Sequence, residues 1–147
     1  MSDNTMHFQQ MEPVIREVLD ADGEITLQAA GTSMEPFLRD QRDSVTLRRP
    51  ARPLQKGDVP FYKRRNGQFI LHRVVGKDKD GYILRGDNQW VTEHGVQESD
   101  VIAVLTKIEK NGRQHEMDGL YCRSYYRALP VIRWGRRLCR AIRNRLR

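Results

Sequence analysis

Between Phe8 and Leu19 apolar residues return at steps of three and four (Phe8, Met11, Val14, Ile15, Val18, Leu19), the spacing of one face of a short amphipathic helix. Pro13 fits the first turn of that helix, where a missing N–H is no loss, and Asp22-Gly23 ends the pattern. From Glu24 to about Lys110 the texture changes. Apolar runs become short and rich in Val, Ile, Leu, Phe, Tyr and Thr: Ile25-Thr26-Leu27, Ser44 to Leu47, Val59 to Tyr62, Gln68 to Val75, Tyr82-Ile83-Leu84 and Val101 to Ile108. Asn66-Gly67, Asp80-Gly81 and Asn111-Gly112 stand between such runs as hairpin turns. Regular short strands with turn dipeptides predict a mainly β, antiparallel domain. After Pro130 helical spacing resumes, with Val131, Trp134, Leu138, Ala141, Ile142 and Leu146 on one side. Arg133, Arg136, Arg137, Arg140, Arg143 and Arg147 fall on the other. The expected organisation is a helical extension over 1–23, a β domain over 24–118 and a basic amphipathic tail over 119–147.

At 147 residues the chain is one domain with room for a core. No run approaches the ~18 apolar residues of a spanning helix, and the first residues lack the basic and apolar segments of a secretory signal. A cytoplasmic protein, peripheral to the inner membrane face at most, is expected. Cys122 and Cys139 lack metal-ligand spacing and read as reduced thiols. The net charge of +7 belongs to one end. Residues 119–147 hold nine arginines and no acidic group, and the remainder carries −2. A body so nearly neutral does not point to nucleic acid.

Three residues are candidates for chemistry. Ser33 follows Gly31-Thr32 and precedes Met34-Glu35-Pro36 in a turn-rich junction. A nucleophilic serine needs exposure, a base and backbone donors. Gly31 permits close backbone approach and Pro36 stiffens the residues after it. Strand alternation puts Ile70, His72 and Val74 on one face and Leu71, Arg73 and Val75 on the other, so His72 is expected to be somewhat sheltered, with a pKa near neutrality that suits it to take a proton. Asp87, in Gly86-Asp87-Asn88, could orient that imidazole. Each residue alone also has an ordinary role: a turn serine, a satisfied strand histidine, a turn aspartate. His7, His94 and His115 are isolated in polar surroundings and read as surface residues. Lys56 and Lys63 sit where an amine stays charged. No phosphate loop, dinucleotide fingerprint or metal-ligand spacing is present, so no cofactor or metal is expected.

The order of these segments resembles the signal peptidase family. Gly31-Thr32-Ser33-Met34-Glu35-Pro36-Phe37-Leu38 is similar to its Gly-x-Ser-Met-x-Pro-x-Leu box. Asp43 to Leu47 and Lys56-Gly57-Asp58-Val59 resemble the Gly-Asp strands that come next. Leu71-His72-Arg73-Val74-Val75-Gly76 resembles the box that brings the base, Arg85-Gly86-Asp87-Asn88 the Gly-Asp-Asn box, and Val101 to Leu105 the closing strand. The likeness covers about residues 25–108. It implies small antiparallel sheets of the signal peptidase and repressor-protease type, and a serine endopeptidase that removes a leader or signal segment from a peptide or preprotein. Histidine at 72, where bacterial leader peptidases and self-cleaving repressors have lysine, resembles the endoplasmic-reticulum, archaeal and spore-former type. Ser33 would be the nucleophile, with its own N–H at the oxyanion and Gly31, Met34 and Pro36 supporting the turn. His72 would be the base and Asp87 the orienting acid.

The departures carry information too. The family's second acidic position is offered here only by Glu93, which makes it the alternative acid. Pro60 implies an edge or bulge. The family's usual transmembrane anchor has no counterpart among these 147 residues, and the expectation is therefore maturation of a small encoded peptide rather than general secretion. A non-catalytic module of the same fold that presents precursor peptides is the alternative function. A repressor relative is disfavoured by His72 and by the ~24 residues before the β domain, too few for a DNA-reading helical module. The tail, with Trp134 and aliphatics opposite arginines, is expected either to lie on an anionic membrane or to pack on the domain.

Overall fold

The computed structural model describes residues 3–146, with side chains described from Phe8 onward. The elements run α1 (Asp3–Asp20), β1 (Glu24–Gln28), β2 (Ser44–Arg48), β3 (Pro60–Lys63), β4 (Phe69–Leu71), β5 (Arg73–Asp78), β6 (Gly81–Arg85), β7 (Glu93–Val96), β8 (Val101–Lys110), β9 (Arg113–Glu116) and α2 (Leu120–Arg145). Every strand pairing is antiparallel. The larger sheet runs β1-β2-β8-β3-β4, and the smaller runs β5-β6-β7. The ten-residue β8 joins β2 along one edge and β3, then β9, along the other. The mainly β fold of small antiparallel sheets between an N-terminal and a C-terminal helix is therefore as the residue pattern predicts.

The turn dipeptides act as expected. Asn111 and Gly112 both have positive φ (52° and 74°), the backbone that a two-residue hairpin turn between β8 and β9 requires. Pro60 opens β3, and the β3/β8 ladder is bulged just after it, at Phe61/Tyr62. Alternation along β3 sends Phe61 into the main core and Tyr62 into a second one with Val74, Tyr82, Leu84 and Val96. The strand thus bridges the two cores.

Three expectations are corrected. The run from Gln68 to Val75 is two strands, not one. The chain leaves the larger sheet at Leu71 and enters the smaller at Arg73, so His72, Arg73 and Val74 are buried in succession and the expected alternation fails. Pro13 lies inside α1, not in its first turn. Phe8 and Met11 pack on the main core and Phe8 meets Phe61 and Phe69, which holds the turns before Pro13 helical despite the lost N–H. Finally, α2 begins at Leu120, ten residues before Pro130, because Cys122 and Leu129 are buried against the body. Ile15, Leu19 and Cys122 belong to the same core as the strands, so both terminal segments are packed onto the β domain. The expectation for His7 concerns a side chain outside the described residues, as does the placing of Arg147. His94 is exposed, whereas His115 is half-buried and stacked on Tyr121 at 4.2 Å.

Candidate functional site

Ser33 lies in the fifteen-residue connection from β1 to β2. Buried Met34, Phe37 and Leu38 anchor that loop. Its base is closed by Ala29 N–H to the Asp43 carbonyl (2.8 Å) and Gln41 N–H to the Ala29 carbonyl (2.7 Å). Gly31, at φ +83°, gives its N–H to Asp40 Oδ1 at 2.8 Å. Below, the fully buried Asp43 accepts from Lys110 Nζ (2.6 Å) and Arg39 N–H (2.9 Å). Burial would raise its carboxyl, but these donors outweigh that and hold it below the usual carboxylate range. Ser33 itself is half-buried, and among the described residues its hydroxyl has no hydrogen-bond partner. It lines a cavity of about 490 Å³ with Leu27 to Gly31 on one side and Gln68 to Leu71 on the other. Those residues belong to or adjoin β1 and β4, the two ends of the larger sheet, each paired along one edge only. Val45 and Leu47 of β2 and Phe61 of β3 line the cavity as well, so it lies on one face of the larger sheet and extends to both of its end strands.

His72 follows that cavity wall directly and is 3 % exposed. Burial pushes its imidazole down to about 4, Arg64 acts in the same direction, and the Glu93 and Asp87 carboxylates only partly oppose them. The ring is uncharged at neutral pH, and the expectation of a pKa near neutrality is corrected: the sheet change at His72 buries the ring more deeply than a strand face would. Its Nδ1 lies 3.4 Å from the Tyr62 hydroxyl, which donates to Glu93 Oε2 at 2.5 Å. Glu93 is also gripped by Arg64 through Nε and Nη2 at 3.0–3.1 Å. Burial favours the neutral carboxyl of Glu93, yet Arg64 and Tyr62 keep its pKa below the ordinary value. Tyr62 has a single proton, committed to that carboxylate, so Nδ1 carries the hydrogen in its contact with the phenol oxygen. The Nε2 lone pair is left free. A Glu93–Tyr62 pair thus stands behind His72 where a direct carboxylate was expected.

Asp87 does not stand there, which corrects the expectation that it orients the imidazole. Its two oxygens accept from Nε and Nη2 of Arg73, both at 2.8 Å, and Tyr125 donates to Oδ2 at 3.0 Å. Among the described residues no hydrogen bond joins it to His72. The guanidinium fork of the neighbouring residue matches both carboxylate oxygens, and one imidazole cannot compete with it. Arg73 also reaches the Gly57 carbonyl (2.9 Å) and lies against Phe37, Tyr125 and Tyr126. The turn beside Asp87 seats the serine loop. Asn88 donates its backbone N–H to the Ser33 carbonyl (2.9 Å) and its side chain to the Thr32 carbonyl (3.1 Å). A Cβ on Gly86 would lie 2.5 Å from the Ser33 carbonyl oxygen, so only glycine permits that approach.

The three boxes are thus assembled in one region: His72 abuts Arg73, Arg73 holds Asp87, and the Asp87 turn holds Ser33. No hydrogen bond joins Ser33 to His72 among the described residues, and His72 opens onto a different cavity, lined by Asn88 to Glu93 and Arg64. The roles of Tyr62, Arg64, Arg73, Tyr125 and Arg133 in the site escaped the sequence reading. Of these only Arg73 left a signal, since a charge inside an apolar strand needs a buried partner. Lys63, considered as a base, is paired with Glu12 at 2.7 Å. No protein-family model and no curated protein sequence matches this chain.

Proposed function

We propose that the chain is a peptide-bond hydrolase, and more particularly a serine endopeptidase of the signal peptidase type. What carries the reading is the Ser33 hydroxyl, without a hydrogen-bond partner among the described residues, in a largely apolar cavity that reaches both end strands of the larger sheet, with a neutral, buried histidine directly after the cavity-lining Leu71. An extended peptide can add to a free strand edge through its main chain while its side chains enter the cavity. In the proposed reaction Ser33 Oγ attacks the scissile carbonyl and its proton passes to His72 Nε2. His72 then returns the proton to the leaving amine, and water repeats the sequence to release the acyl group. The Ser33 N–H is the proposed donor to the oxyanion. Glu93, acting through Tyr62, supports the imidazolium that forms.

The test is incubation of the full chain with a synthetic library of small precursor-like peptides, read by mass spectrometry. Cleavage abolished in both Ser33→Ala and His72→Ala, with unchanged circular dichroism, supports the reading. No cleavage of any library member counts against it. A second reading, a non-catalytic module that presents precursor peptides, is favoured by the missing Ser33–His72 hydrogen bond and requires library peptides to bind wild type and Ser33→Ala equally.

A further inference from the structure

The two halves of α2 are used differently. Cys122, Tyr125, Leu129 and Arg133 hold it to the body, the first and third by burial. Tyr125 bonds Asp87, and Arg133 bonds the Asp87 and Gln89 carbonyls (2.9 and 2.8 Å). At about 100° per residue, these four fall within an arc of roughly 80°. Val131, Trp134, Leu138, Ile142 and Leu146 fall in an arc of about 120° on the opposite side, and all five are exposed, from 46 % to 83 %. The alternative in which this stripe packs on the domain is therefore not realised. From Arg136 to Leu146 every residue is exposed. No acidic residue follows Asp118, while Arg136, Arg137, Arg140 and Arg143 fall in an arc of about 120° opposite the stripe and Arg145 falls beside Trp134 and Leu138 within it.

We propose that α2 seats this chain on the surface of an anionic phospholipid bilayer, with the Val131–Leu146 stripe at the acyl boundary and the arginines among the headgroups. Charge decides the occupant. A second copy would bring two acid-free arginine helices together, a like-charge juxtaposition. A nucleic acid would neutralise the arginines but leave five large apolar side chains in water. A bilayer accepts both faces, because the stripe can sink into the interface while guanidinium groups bond lipid phosphates. Each arginine near the surface strengthens binding by about fivefold. The body lies on the side of α2 away from the stripe, so nothing in the fold obstructs the contact. This inference is independent of whether Ser33 is a nucleophile.

The experiment is flotation of the full chain with vesicles of phosphatidylcholine containing about a third phosphatidylglycerol, against phosphatidylcholine alone. Trp134 emission is followed in a Trp90→Phe background, which leaves it the sole tryptophan. At least tenfold stronger binding to the anionic vesicles is expected, with a blue shift of Trp134. Leu138→Asp/Ile142→Asp should reduce binding more than tenfold, as should neutralising Arg136, Arg137, Arg140 and Arg143 to Gln. All six positions are exposed, so an unchanged thermal melt is the folding control. The proposal is overturned by absence of binding to anionic vesicles, by binding that the Asp pair leaves unchanged, by a dimer that the Asp pair dissociates, or by capture of polyuridylate without vesicle binding.

Discussion

The Arg73–Asp87 pair is the best place to test the physical account of the site. Its side chains are 2 % and 1 % exposed, and the two bonds between them are both 2.8 Å. Asp87→Asn keeps the shape but removes the charge that compensates the guanidinium. Breaking a buried pair by removing one partner costs about 3–5 kcal/mol, since the survivor stays desolvated and unpaired. Arg73 retains its bond to the Gly57 carbonyl and the faces of Phe37, Tyr125 and Tyr126, which favours the lower end, about 3 kcal/mol. For a domain of this size that corresponds to roughly 6–12 °C in Tm. The assay is urea unfolding at pH 7 followed by far-ultraviolet circular dichroism. The double variant Arg73→Met/Asp87→Leu provides the second arm, because replacing both charges by apolar groups removes the desolvation cost and should restore much of the loss. A loss below about 1 kcal/mol for Asp87→Asn, or a double variant no more stable than the single one, would refute the reasoning.

The same contacts set three further outcomes. Because the folded His72 pKa of about 4 lies below the ordinary 6.5, the unfolded chain takes up the proton first as pH falls. Stability is therefore full above pH 6.5, about 2 kcal/mol lower at pH 5 and about 3 kcal/mol lower near pH 4; urea titrations of wild type and His72→Gln check this, since the variant must lose that slope. Tyr62→Phe cuts the link from Glu93 to the ring. It should lower any cleavage by about 10- to 100-fold and move the His72 proton off Nδ1, which nitrogen-15 shifts of the ring read directly even without a substrate. Gly86→Ala forces a methyl to within 2.5 Å of the Ser33 carbonyl oxygen and should cost about 1–3 kcal/mol in a urea titration. An unaltered midpoint would show that the serine loop is not seated on that turn.

What the residues determined locally is considerable. Asn66-Gly67, Asp80-Gly81 and Asn111-Gly112 mark turns because positive φ is cheap there, and the change of hydrophobic period separates strands from helices without any reference to the rest of the chain. The gathering of arginines after Asp118 is equally plain from order alone. The partners inside the site were decided elsewhere. Leu71, His72 and Arg73 read as one strand, yet the chain changes sheets between them, because the residues flanking His72 find their pairing partners on different strands, β3 and β6. Asp87 could serve an imidazole or a guanidinium by composition, and only burial next to the better-matched fork settles it on Arg73. Pro13 sits mid-helix because the contacts of Phe8 with Phe61 and Phe69, more than fifty residues away, outweigh a local rule. Backbone preference acts over a few residues and can be read from a short window. The pairing of buried charges and the pairing of strands depend on which distant groups lose water together, and that exists only once the chain has closed on itself.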